Sequence, residues 1–163
     1  MHRRARRLIR TLVLRPHPEG GHYAEVFRSP HRVRRADSDL GGERAAMTSI
    51  YFLLASGERS RWHRVSADEV WHYYEGDPLE LVWLEGEEGV LRRARLGLPG
   101  AGKEPVAVIP AGCWQAARSR GAYTLVGCTV APGFEFADFT VLADVPEEAA
   151  RVRARYPELT DLI

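Results

Sequence analysis

The chain has 163 residues, of which 45% are hydrophobic and 28% charged, and its formal net charge is +1. This composition is typical of a folded protein and excludes a disordered chain. A net charge so close to zero gives no overall field that would attract nucleic acid or a membrane surface, and we expect neither partner. The length predicts a single domain over residues 1–163, with its core at about 20–143.

Both ends of the chain carry helical patterns. Apolar residues recur at helical spacing in residues 3–14, and Arg10 interrupts the apolar stretch that a secretory signal would need. We interpret the arginines of this segment as the exposed face of a short helix. Residues 146–156 predict a closing helix, because Pro146 suits the first turn and two glutamates follow it. No apolar run approaches the ~20 residues that a membrane helix needs.

The region between these helices predicts many short β-strands. Residues 48–54 read as a buried strand, and turns containing Gly, Pro or charged residues separate the segments that follow: 61–65, 69–75, 79–85, 90–96, 105–109, 114–118, 122–131 and 136–142. Residues 30–46 are rich in Arg, Asp, Ser and Gly and predict a surface loop. Many short strands at regular spacing indicate a sandwich or a barrel.

Two successive glycines, Gly20 and Gly21, form a turn before another predicted strand. Glycines allow positive φ and a close backbone approach, so this turn either passes near a ligand or begins an exposed edge strand. In the strand that follows, Glu25 and Arg28 are candidates to bind a polar substrate or to brace a dimer.

His63 and Glu69 lie six residues apart between Gly57 and Gly76. The imidazole ends one predicted strand, a polar turn follows, and the carboxylate begins the next strand. On two antiparallel strands such a pair can converge inside a barrel. That geometry suits either a metal ion or general acid–base chemistry on a small molecule.

This frame resembles the first motif of the cupins, which is Gly, five residues, His, any residue, His, three or four residues, Glu, six residues, Gly. Every spacing matches, but Val65 stands at the second histidine position. The second cupin motif ends Pro-x-Gly-x-x-His-x-x-x-Asn. Here Gln115 replaces the histidine, Ser119 replaces the asparagine, and Glu104 stands where the motif has an earlier glycine.

Longer segments resemble one cupin branch of unknown function: PHPEGGHYAEVFRS (16–29), TSIYFLL (48–54), DEVWHYYEGDPLEL (68–81) and LVGCTVAPGFEFADFTVL (125–142). The resemblance implies an all-β double-stranded β-helix, the cupin jelly roll, with a short helix at each end and usually as a homodimer. It implies no established reaction. Distant cupins include sugar-nucleotide epimerases, other isomerases, dioxygenases and storage proteins, and the fold does not choose among them.

A typical cupin metal site resembles three imidazoles and one carboxylate, of which His63 and Glu69 remain here. Because transition metals rely on nitrogen donors, we expect no metal cofactor. If a divalent transition metal does bind, its ligands would be His63, Glu69 and Gln115. His72 or His22 would have to supply a missing imidazole, and strand alternation puts His72 on the face opposite Glu69.

We therefore predict that the barrel binds a small polar metabolite, sugar-like or nucleotide-like, with metal-independent isomerase or epimerase activity as the catalytic interpretation. His63 would be the base, Glu69 its partner, and Tyr51 or Tyr73 the opposed acid. Further residues expected to bind the ligand are Gln115, Glu25, Tyr51, Trp62, Trp71 and Tyr73.

Two alternatives stay open, a metal-dependent enzyme with an atypical His/Glu/Gln site and a non-catalytic binding protein. In the latter, the His63–Glu69 pair would be purely structural. The two cysteines, Cys113 and Cys128, lack the spacing of a zinc site and are expected to be reduced thiols. This expectation suits a cytoplasmic protein.

Overall fold

The computed structural model describes residues 1–34 and 42–163. Helix α1 (Arg3–Thr11) comes first, and helix α2 (Pro146–Arg155) lies near the end of the chain. The strands between them are β1 (Arg15–Pro16), β2 (His22–Arg28), β3 (Arg32–Arg34), β4 (Glu43–Ala45), β5 (Thr48–Ala55), β6 (Arg59–Val65), β7 (Asp68–Gly76), β8 (Leu79–Glu85), β9 (Val90–Leu96), β10 (Val106–Ile109), β11 (Trp114–Ser119), β12 (Tyr123–Ala131) and β13 (Phe139–Val141).

Two antiparallel sheets make up the body of the fold. One has the strand order β1-β2-β5-β12-β7-β10, and the other has the order β13-β6-β11-β8-β9. Neighbours in both orders are mostly distant in the sequence, as in a jelly roll where the chain crosses between two sheets. The prediction of an all-β fold with a short helix near each end is confirmed.

Three apolar clusters hold these layers together. The central cluster lies between the two sheets and includes Phe52, Trp71 and Val126. A second cluster lies on the outer face of the smaller sheet, where Trp62 packs beneath α2. A third cluster contains Ala5 and Leu8 of α1, which pack against the larger sheet. Strand β12 is buried on both faces and is accordingly apolar along most of its length, whereas β9 and β10 alternate buried and exposed residues.

The local differences from the predicted elements have simple causes. Helix α1 ends at Thr11 because Leu12 leaves the helical conformation and Val13 follows at a positive φ of 53°. The predicted strand at 136–142 is interrupted by short 3₁₀ turns, so only Phe139–Val141 pairs with β6. The predicted loop at 30–46 contains the β3–β4 ribbon, and its residues 35–41 lie outside the described residues.

None of the helices in the described ranges is long and apolar enough to cross a membrane.

Candidate functional site

A cavity of about 300 Å³ opens between the sheets, next to β2, β5, β6 and β12. His63 and Glu69 both line it, together with Glu19 from the turn before β2. All three side chains are nearly inaccessible to solvent, with exposed fractions of 2% for His63 and 6% for each glutamate. We call these three residues the acid cluster.

His63 points inward from β6, and its two ring nitrogens have different partners. Nδ1 lies 2.8 Å from the backbone carbonyl oxygen of Arg61. Because a carbonyl only accepts hydrogen bonds, Nδ1 must carry the hydrogen. Nε2 lies 3.3 Å from Oε2 of Glu19, and in the neutral ring this nitrogen is an acceptor. Burial lowers the pKa of His63, which favours that neutral ring.

Glu19 faces a second imidazole as well. Its Oε1 accepts a hydrogen bond from the Ser60 hydroxyl at 2.7 Å, and its Oε2 lies 3.4 Å from Nδ1 of His17. That nitrogen already accepts the backbone N–H of Glu19 at 3.3 Å, so it is unprotonated too. Burial lowers the pKa of His17 to about 4. With two acceptor nitrogens facing Oε2, the proton belongs on Glu19 itself, and burial raises the pKa of this carboxyl to about 8.

Glu69 reaches the cavity from the start of β7. Its Oε2 accepts a hydrogen bond from Nε2 of Gln115 at 2.6 Å, and Oε1 of Gln115 in turn accepts the indole N–H of Trp71 at 3.0 Å. Burial raises the pKa of Glu69 to about 7, and the nearby Glu19 acts in the same direction, while His63 opposes the shift. The cluster therefore holds two carboxyls that can exchange protons near neutral pH.

The double glycine explains how Glu19 reaches His63. Gly20 and Gly21 adopt φ of 114° and 67°, in the region that favours glycine. The turn they form packs on the start of β6, where the backbone N–H of Arg61 donates to the carbonyl of Glu19 at 2.9 Å. Sequence reasoning identified this turn as a possible ligand contact but did not identify Glu19 or His17. The glycine pair was the available signal, since it indicates a close backbone approach.

The other predicted ligand-binding residues are distributed over several environments. Glu25 lines the cavity. Gln115 and Trp71 lie behind Glu69 and support it, without lining the cavity themselves. Tyr73 turns its hydroxyl to the backbone carbonyl of Gly76.

Tyr51 and Trp62 lie on outer sheet faces. The Tyr51 ring contacts Tyr74, with the ring centres 6.0 Å apart, and Trp62 donates its indole N–H to the backbone of Leu159. Neither side chain lines the cavity. The physical reason is strand alternation: Trp62 precedes the inward-facing His63, and Tyr51 precedes the inward-facing Phe52. The structure therefore places both side chains on the sheet face opposite the cavity.

The walls and mouth of the cavity complete the site. Aromatic rings line the walls, and charged side chains lie around the opening: Tyr23, Phe52, Phe134, Phe136 and Phe139 on the walls, and Arg15, Glu25, Arg28 and Glu135 at the opening. The site thus combines an apolar enclosure with a small set of convergent polar groups, the usual make-up of a small-molecule pocket.

A double-sheet jelly roll with a buried His/Glu pair between its sheets defines a cupin-type protein. The family model described as "Cupin superfamily (DUF985)" matches residues 6–142, and the chain belongs to this family. A search among curated proteins finds no significant match.

Solved structures share the fold of this chain. The chain is similar to a hypothetical protein from Leishmania major, with 34% identity, a TM-score of 0.82, and coverage of 98% of this chain and 96% of that one. It is also similar to a protein from Shewanella oneidensis, with 36% identity, a TM-score of 0.77, and coverage of 94% and 90%. An oxalate decarboxylase from Bacillus subtilis shares the fold at 14% identity and a TM-score of 0.57, with coverage of 91% of this chain and 37% of that chain.

Members of the cupin superfamily often bind metal ions, but the residues at the family's ligand positions do not fit one here. Val65 offers no donor atom. The side-chain oxygen of Gln115, which is the atom that could bind a metal, accepts a hydrogen bond from the Trp71 indole N–H. The amide nitrogen of Gln115 donates a hydrogen bond to Glu69. His72 alternates with the inward-facing Trp71 and does not line the cavity. Within the described ranges, no group of three or more His, Cys, Asp or Glu residues has the arrangement of a metal site.

We expect Trp71→Phe to lower the free energy of unfolding by about 1–3 kcal/mol more than Trp83→Phe does, because it leaves the buried Gln115 oxygen without its donor. Trp83 is the matched control, since its indole nitrogen has no hydrogen-bond partner within the described residues. Urea denaturation of both variants measures the difference. Equal losses would show that the Trp71–Gln115 hydrogen bond contributes nothing to stability.

Proposed function

We propose that the cavity binds a small polar metabolite and that the acid cluster moves a proton at a carbon beside a carbonyl group of this ligand. That step is shared by isomerases and epimerases. The observation that carries the proposal is the burial of Glu19, His63 and Glu69 together in one cavity, which aromatic rings also line. Two carboxyls with pKa values of about 7 and about 8 lie close to the value at which a group exchanges protons best at neutral pH.

The hydrogen bonds of the cluster suggest a division of roles. His63 has both ring nitrogens engaged, by Arg61 and by Glu19, so it does not offer a free nitrogen to a ligand. We therefore assign the base to Glu69 rather than to His63. The Glu19–His63 pair takes the place of the opposed acid, because Tyr51 and Tyr73 do not line the cavity.

The proposed step is balanced within the site. The ionised Glu69 takes the proton from the carbon, and the electron pair of that C–H bond forms the carbon–carbon double bond of an enol. Glu19 gives its proton to the carbonyl oxygen at the same time, and His63 orients the Glu19 carboxyl through Nε2. If the ligand is an α-hydroxy carbonyl compound, the enol is an enediol, and Glu69 returns its proton to the former carbonyl carbon. The hydroxyl group on the neighbouring carbon gives its proton to Glu19 as that carbon–oxygen bond becomes the new carbonyl, which completes an isomerisation.

Proton exchange in D₂O tests this function. We propose 2-hydroxycyclohexanone as the probe, since it is a small uncharged ring with a carbonyl beside carbon-bound hydrogen. The wild-type protein is expected to speed the loss of the C–H signal in proton NMR spectra, and Glu69→Gln is expected to reduce this rate about 100-fold. Glu87→Gln, at an exposed glutamate in the β8–β9 turn, is the control for loss of a carboxyl.

Two results would contradict the proposal. One is a wild-type protein that gives no exchange above the buffer rate. The other is a Glu69→Gln variant that exchanges as fast as the wild type. Homodimer formation, a cytoplasmic location and a single-domain organisation stay predictions, as does the absence of nucleic-acid and membrane partners.

A further inference from the structure

The mouth of the cavity restricts the charge of the ligand. Arg28 is the guanidinium that bridges two sides of this opening, from β2 to the segment before β13. Its Nε and one of its terminal nitrogens donate to the two carboxylate oxygens of Glu25, at 3.1 and 2.8 Å. The other terminal nitrogen donates to Glu135 at 2.8 Å. The terminal nitrogen that donates to Glu25 also donates to the backbone carbonyl oxygen of Phe134 at 3.2 Å.

These contacts leave Arg28 little capacity to bind an anion. A guanidinium has five N–H donors, and four of those of Arg28 are already engaged. Phosphates and carboxylates are bound strongly when two parallel donors of one guanidinium point at them, and Arg28 no longer offers such a pair. Its charge is also offset by Glu25 and Glu135, so the three residues together carry a negative charge.

The remaining charges of the lining are either exposed to solvent at the opening or acidic. Arg15 is exposed and stacks on the Tyr23 ring at 5.0 Å, where water and salt screen its charge. The inner wall carries Glu19 and Glu69, and the two histidines beside them are neutral for the reasons given above. A phosphate or carboxylate that entered the cavity would therefore lose its hydration and meet carboxyl groups.

The size and walls of the cavity restrict the shape of the ligand. A volume of about 300 Å³ lies at the lower end of the range for small-molecule pockets. The rings of Phe134, Phe136 and Phe139 pack edge to face on one another, with centres 5.0 to 6.2 Å apart. Aromatic walls of this kind stack against the flat or apolar face of a ring.

From these observations we infer that the ligand is a small uncharged ring compound that carries neither phosphate nor carboxylate. The inference rests on one part of the proposed function, namely that the ligand binds in this cavity. It narrows the expected ligand class to sugar-like compounds without phosphate, because a nucleotide carries phosphate.

Three probes of similar size test the charge preference, namely benzyl alcohol, benzoate and phenyl phosphate. Saturation-transfer NMR at pH 8 is expected to show benzyl alcohol binding at least about tenfold more tightly than either anion. This comparison uses the wild-type protein and does not depend on a variant. Anion binding as tight as that of benzyl alcohol, or no saturable binding of benzyl alcohol up to its solubility limit, would overturn the inference.

A double variant, Glu25→Gln with Glu135→Gln, tests the role assigned to Arg28. Removing both carboxylates frees the guanidinium, so the affinity for phenyl phosphate relative to benzyl alcohol should rise at least about tenfold. Adding Arg28→Gln to the double variant should abolish this gain. An unchanged ratio in the folded double variant would contradict the role assigned to Arg28 and with it the inference.

The two proposals fail in distinguishable ways. If the charge preference holds but Glu69→Gln leaves proton exchange unchanged, the proposed function fails alone. If proton exchange depends on Glu69 but phenyl phosphate binds as well as benzyl alcohol, the inferred ligand class fails alone.

Discussion

Glu19→Gln is expected to remove a large part of the dependence of stability on pH. The pKa of Glu19 is about 8 in the folded protein, against an ordinary value of 4.5. Below pH 4.5 both the folded and the unfolded chain hold the proton, so the full stability is present. As pH rises from 4.5 to 8 the unfolded chain releases its proton while the folded chain retains it, and stability is lost.

The size of this effect follows from the shift. Each pKa unit corresponds to about 1.4 kcal/mol, so the wild-type protein should lose on the order of 4 kcal/mol relative to Glu19→Gln between pH 4.5 and pH 8. A glutamine reproduces the protonated carboxyl, since it can accept from Ser60 and donate to Nε2 of His63. The variant should therefore fold, and it should be the more stable protein at pH 8.

His17 acts in the opposite direction and has to be separated from Glu19. Its pKa is lowered from 6.5 to about 4, so its contribution to stability is lost as pH falls through that range. We would measure chemical denaturation of the wild type and the variant at several pH values. The contribution of His17 is the same in both proteins and cancels in the difference between their stabilities. Glu87→Gln again serves as the control for removal of a carboxyl. If the stability of Glu19→Gln changed with pH in parallel with that of the wild type, the pKa of Glu19 in the folded protein would have to be the ordinary one.

Gly20→Ala is expected to lower the free energy of unfolding by about 3–5 kcal/mol. The loss has two causes, because Gly20 has a positive φ of 114° and because an added Cβ would overlap the backbone of another segment. An added Cβ would overlap the carbonyl oxygen of Arg59, which belongs to the start of β6 and cannot rotate away. The turn would have to move, and Glu19 would move with it. We therefore also expect the variant to lose the pH dependence attributed to Glu19.

Gly57→Ala is the matched control for this substitution. Gly57 has a positive φ of 82°, but nothing lies within 4 Å of the position of an added Cβ. Gly57→Ala should lower the free energy of unfolding only by the backbone strain, which is about 1–2 kcal/mol. Thermal and urea denaturation measure both variants. Equal losses for Gly20→Ala and Gly57→Ala would mean that the close approach of the turn to β6 does not matter.

The sequence was sufficient to predict most of the fold. Short apolar segments separated by turn residues identified the strands, because turns depend on local backbone chemistry and strands on a local pattern. The spacing of Gly57, His63, Glu69 and Gly76 then indicated where two of those strands face the interior. The structure places both side chains of that frame on the wall of one cavity.

The rest of the site could not be read from spacing. Glu19 meets His63 across 44 positions of the chain (63 minus 19), and the contact depends on how a turn packs on β6. No local pattern records such a contact. The position of Trp62, in contrast, does follow from a local pattern. Trp62 precedes the inward-facing His63 on β6, so strand alternation directs its side chain away from the cavity. Tyr51 lies in a strand that is apolar on both faces, where alternation gives no signal.

The most direct test of the central claim is a carbon-13 NMR titration of the glutamate side-chain carboxyls, assigned with Glu19→Gln and Glu69→Gln. We expect two carboxyls to titrate well above the ordinary value of 4.5, with pKa values of about 8 for Glu19 and about 7 for Glu69. If both instead titrate near the ordinary value of 4.5, the cavity does not hold a proton-exchanging cluster at neutral pH, and the proposed chemistry is contradicted.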